Sequence, residues 1–153
     1  AARESGAAPE LSNHLKVNEL AANLEREGMV SPEMLITALG QGEVSLFLAL
    51  FSRLTGIREY LAKRILFEPG GEGLAICCKA VGLTKDEFAQ IFRYSQLVRA
   101  RRSDRVEEAL ADVIWIYEDM SREAAAGVLK TWRRNTGYLA AIRQIQSATR
   151  RNA

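Results

Sequence analysis

Apolar residues in this chain recur at helical spacing in one stretch after another, most of the stretches before Thr84 close on a glycine-containing link, and none alternates as a strand would. That pattern confines the fold to the all-α class, as an array of helical hairpins with eight or nine helices. Ser31 reads as an N-cap with Pro32 at the first helical position and Glu33 behind it, and Leu35, Ala38 and Leu39 form the buried stripe of that helix. Thr84 and Glu87 have the spacing of a capping box, with Phe88, Ile91, Phe92 and Val98 inward. Ser121 caps a later helix carrying Ala125, Val128, Leu129 and Trp132, and Asn135-Thr136-Gly137 breaks or kinks it before Leu139, Ile142 and Ile145.

Between these anchors the other helices follow from the apolar period. Val17, Leu20, Ala21 and Leu24 share one face, and Gly28 closes that helix. From Val44 to Leu54 apolar residues run nearly all round, so this is the expected central helix. Ile57, Tyr60, Leu61 and Ile65 open the next, which stops at Glu68-Pro69-Gly70-Gly71. Leu74, Cys77, Cys78 and Val81 lie at i, i+3, i+4 and i+7 on a short helix ended by Gly82, and Val106, Leu110, Val113 and Tyr117 mark another. A helix, glycine, short link and capped helix occur from Leu20 to Leu35 and again from Leu74 to Phe88, which makes stacked hairpins the leading architecture. Residues 1–11 are set apart as a flexible start and 12–153 as one helical domain, with a sub-boundary near 99–104. The chain begins without Met, which reads as a fragment of a longer chain or a processed start.

Charge is unevenly placed. Residues 1–92 carry −3 and residues 93–153 carry +5, within a chain total of +2. The second part is blocked: +4 over 93–105, −5 over 106–123, and +6 over 124–153 with no acid. Such a dipolar end suits specific docking better than diffuse adhesion to a polyanion. No window approaches eighteen consecutive apolar residues, so no transmembrane helix is expected and the expected compartment is the cytoplasm.

At Gly42-Glu43-Val44-Ser45-Leu46-Phe47, Leu54-Thr55-Gly56-Ile57, Pro69-Gly70-Gly71-Glu72-Gly73-Leu74 and Ala80-Val81-Gly82-Leu83 the chain resembles a bacterial, largely alphaproteobacterial, all-helical family known only as a domain of unknown function. The resemblance runs from about Val17 to Phe92 and is looser beyond. It implies helical hairpins reminiscent of HEAT repeats, with this chain resembling the C-terminal part of longer members, and it supplies no activity and no catalytic residues.

The chemistry-bearing residues are few. Pro69-Gly70-Gly71-Glu72-Gly73 precedes a helix but lacks the strand and the Gly-Lys-Ser/Thr ending of a phosphate loop, and Glu72 repels an anion, so it reads as a tight turn. His14 is the single histidine and has no Cys or carboxylate at ligand spacing, and Cys77 and Cys78 sit on an apolar face where a thiolate is disfavoured. Glu107, Glu108 and Asp112 read as a solvated face answering Arg105. No catalytic residue, cofactor or metal is therefore assigned.

The functional candidates are basic. Arg99, Arg101, Arg102 and Arg105, with Trp132, Arg133, Arg134 and Arg143, are the expected partner-binding residues of a non-enzymatic protein-interaction or regulatory module, whose partner is an acidic protein surface or a second copy. On this reading, reversing Arg133 and Arg134 to Glu weakens docking and leaves the thermal midpoint nearly unchanged. The alternative is a DNA-binding regulator using Arg99 to Arg105 and the basic C-terminal helices. It is weakened because the one helix-turn-helix-like hairpin, Leu74 to Arg93, begins its second helix with Lys85-Asp86-Glu87, two acids facing the phosphates. Binding to nucleic acid is expected to be weak.

Overall fold

The computed structural model describes residues 7–99 and 105–134, with side chains from Ser12 onward. Within them the chain forms eight helices and no strand: α1 Ala7–Arg26, α2 Pro32–Gly40, α3 Val44–Thr55, α4 Glu59–Leu66, α5 Glu72–Ala80, α6 Lys85–Leu97, α7 Val106–Asp119 and α8, 122–134. The first helix reaches back to Ala7, inside the segment that the sequence sets apart as a flexible start. The segment 135–153, with its expected break at Asn135-Thr136-Gly137, lies outside the described residues, as do most of 99–104.

The helix starts follow the cap signatures. Ser31 Oγ accepts the Met34 N–H and Ser121 Oγ accepts the Ala124 N–H. At Thr84 both halves of the capping box are made, since Thr84 Oγ1 accepts from Glu87 N and Glu87 Oε1 accepts from Thr84 N. At Gly71 the backbone leaves no choice: its φ is +73°, and a Cβ there would stand 2.5 Å from the Phe92 ring.

The core is built on α3, whose Phe47, Leu48, Ala49, Leu50 and Phe51 are all buried, with Phe47 and Phe51 stacked 5.3 Å apart. Helices α1, α2 and α4 pack on α3. Helix α2 also lies against α6, four elements later, so the hairpins do not contact their chain neighbours alone. A second aromatic centre joins α6 to α7, where Phe88 and Tyr117 stack at 4.7 Å and the Tyr117 hydroxyl donates to the Leu83 carbonyl. Each such fully buried apolar side chain contributes roughly 1.5–3 kcal/mol.

Several expected core positions are corrected. Leu20 is exposed because α1 packs only on α3 among its principal neighbours, leaving room for a narrow stripe centred on Ala21. Tyr60 is 70% exposed: it stands two residues from buried Ala62, about 200° around the helix, and faces water. Ile57 is buried in the link before α4 rather than on the helix, and Val128 lies at the edge of the α8 stripe and is exposed.

Candidate docking surface

Helices α3, α4 and α5 each end with carbonyl oxygens that no further helical turn can bond, and the partial negative charge of a helix C-terminus gathers there. Three arginines reach these ends from distant parts of the chain. Arg133 Nε donates to the Thr55 carbonyl, the last of α3, and Arg122 Nε donates to the Ala80 carbonyl, the last of α5, at 3.5 Å. Arg99, just past α6, donates through Nη2 to the Glu68 carbonyl in the link after α4. The Arg133 side chain crosses directly over Gly56, where a Cβ would come within 2.6 Å of its Nε.

These contacts redistribute the expected docking residues. Arg99 is half-buried, and burial pulls its guanidinium pKa below the ordinary arginine value against the opposing pull of the Glu68 carboxylate. Its Nε is buried without an acceptor, as is Gln96 Nε2 one turn earlier. Arg133 supports the end of α3, so its reversal to Glu would cost stability, which the sequence reading does not expect. Arg105 stands at the N-cap of α7 with Glu108 at 4.0 Å, and Arg93 grips both oxygens of Glu107 by one guanidinium edge, Nε and Nη2 donating at 2.9 and 3.2 Å. That fork holds the Glu107 carboxyl below its ordinary pKa and raises the arginine. Arg134 is exposed on α8, as is Lys130. Arg101, Arg102 and Arg143 lie outside the described residues.

Trp132 is half-buried where α8 meets α4 and α5. It lines an open groove of about 590 Å³ whose apolar wall is Leu61, Ile65 and Ile76, with Arg64, Glu68 and Glu72 around them. The sequence marks Trp132 as a core or interface aromatic but does not reveal the groove, because the walls come from α4 and α5 and the tryptophan joins them from more than fifty residues further on. Arg122 goes unmarked as well, since it looks like an ordinary charge in the first turn after a cap. Trp115, which the sequence would leave to the core or an interface as a large aromatic, is 67% exposed on α7.

The remaining titratable candidates carry little chemistry. Burial pushes the Cys77 thiol up to about 12 and Cys78 well above its ordinary value, so both stay protonated at neutral pH. His14 is exposed on α1 and meets Asn18 Nδ2 at 3.1 Å. Among the described residues no three His, Cys, Asp or Glu side chains are grouped so as to hold a metal ion, and no helix is long and apolar enough to cross a membrane.

No curated protein and no solved structure matches the chain. A family described as an uncharacterised protein conserved in bacteria, DUF2336, matches residues 1–130, which carries the likeness past Phe92 through α7 and into α8. With the match spanning all of the described helices but the end of α8, the chain belongs to this bacterial domain-of-unknown-function family.

Proposed function

We propose that this chain is a non-enzymatic protein-interaction or regulatory module of the bacterial cytoplasm, and that a partner docks on the groove between α4, α5 and α8. The observation that carries the reading is Trp132, half-buried at the edge of a wide open groove with an apolar wall and charges of both signs around it. Aromatic side chains set in such a position are the usual anchors of protein interfaces. A groove of this form suits an amphipathic segment, with one apolar edge against Leu61, Ile65 and Ile76 and polar groups reaching Arg64, Glu68 and Glu72.

The DNA-binding alternative draws less support. Arg99 is turned onto a backbone carbonyl, Arg93 is held by Glu107 and Arg105 stands beside Glu108, so the basic run offers fewer free cations than its composition suggests.

The test is affinity capture from the source bacterium, followed by direct titration of the purified partner against wild type, Trp132→Ala and Ile76→Arg. Affinity should fall about tenfold or more in each variant, as loss of an interface anchor requires, while the helical circular dichroism is kept. A partner bound equally well by all three proteins would sink the groove reading.

A further inference from the structure

Every acid of α7 except two is matched by a base. Glu107 pairs with Arg93, Glu108 with Arg105, and Glu118 with Lys85 at 3.0 Å. Asp112 and Asp119 make no ion pair with a described residue, and they flank Trp115 at i−3 and i+4 on the same exposed face. Trp115, 67% exposed between two carboxylates that no described residue neutralises, has the form of an aromatic interface anchor set in an acidic surround.

The complementary surface is on the same chain. Along the outer side of α8, Lys130 and Arg134 stand one turn apart, both exposed and neither ion-paired with a described residue. One turn before them is Gly127, where a Cβ would meet nothing within 4 Å, so the helix backbone itself is open to a flat ring. Asp112 and Asp119 are about 10 Å apart along their helix axis, and Lys130 and Arg134 about 6 Å along theirs, a difference that the long basic side chains span.

We propose that α7 of one copy docks on α8 of a second copy, with Trp115 laid over Gly127 and Thr131 and with Asp112 and Asp119 paired to Lys130 and Arg134. Each copy carries both halves of the contact, so two copies that meet α7 to α8 and α8 to α7 close as a two-fold pair. Two helix faces bury less than a standard interface, which makes the association weak and steeply dependent on salt. It uses the outer face of α8 and is independent of the groove at Trp132.

Sedimentation equilibrium of the full chain up to about 500 µM should show mass rising with concentration at low ionic strength, and falling back toward one chain as salt screens the pairs. Asp112→Arg with Asp119→Arg, and separately Lys130→Glu with Arg134→Glu, should each abolish the rise, as should Trp115→Ser. Mixing the two charge-reversed proteins should restore it, because the reversed α7 of one then faces the reversed α8 of the other. A wild type that stays a single chain at the highest concentration, or a mixture that fails to associate while both variants keep their helix content, would overturn the proposal. Loss of groove binding in Trp132→Ala with self-association intact would leave it standing.

Discussion

The α5–α6 link and the α3–α4 link are both tight turns at positive-φ glycines, Gly82 and Gly56, and each takes a distant arginine on the helix end before it, Arg122 at Ala80 and Arg133 at Thr55, yet the helix starts that follow are secured differently. At the first, Thr84 and Glu87 satisfy the start of α6 from within four consecutive residues. At the second, Arg58 at the N-cap offers no side-chain hydrogen bond to α4, and the end of α3 is met by Arg133, 78 residues away. Within that link Ser52 Oγ also donates to the Ile57 carbonyl at 2.5 Å, so local and distant bonds share the turn. One kind of closure is written in a tetrapeptide and forms with its helix. The other exists only once the tertiary structure has brought α8 across.

The two links should differ most under substitution at Gly56. Gly56→Ala combines a strained positive φ with the approach of the Arg133 side chain, so it should cost about 2 kcal/mol or more, read as a lower midpoint in urea. Adding Arg133→Ala removes the clash but leaves the backbone strain, so the double variant should be more stable than the two single losses added together. Arg133→Ala alone should cost about 1 kcal/mol, the range for a charged hydrogen bond to a carbonyl at a partly solvated site. Thr84→Ala should cost a similar amount, about 1 kcal/mol, with the loss confined to the start of α6 and readable as faster amide exchange at Glu87.

The smallest effect concerns Glu107. Its carboxyl is held below the ordinary glutamate value in the folded chain by the Arg93 hydrogen bond, so the stability it adds is present above that ordinary value and is lost as pH falls through the depressed one. Arg93→Gln should therefore flatten the dependence of the thermal midpoint on pH on the acid side of the ordinary glutamate value, and by little, because the pair is open to solvent. An unchanged slope would mean that the fork at Glu107 contributes nothing to folding.

The same contrast between local and distant closure governs how much of the molecule is legible in its sequence. Ser31, Thr84 and Ser121 are legible because a cap needs only residues within one turn, and Phe88, Ile91, Phe92, Leu110 and Val113 because a repeating period marks a buried stripe. Leu20 and Tyr60 are not, because period alone does not say how many neighbours a helix has. The basic blocks are visible as charge, but their acceptors are not, since a backbone carbonyl at Glu68 or Thr55 leaves no trace in composition. Hence Arg99 and Arg133 look like surface residues in the sequence, while nothing there marks the exposed Lys130 and Trp115 as belonging to two matching faces.

The arginine contacts also set an order in time. During synthesis α3 leaves the ribosome with its final carbonyl open to water, and the residue that closes it follows 78 positions later, well after α4 to α7 have been made. The end of α5 waits 42 positions for Arg122, and the link after α4 waits 31 for Arg99. A nascent chain halted between α7 and α8 would therefore hold most of its apolar core while two helix ends remain hydrated, and α8 would arrive as the piece that locks what is already folded.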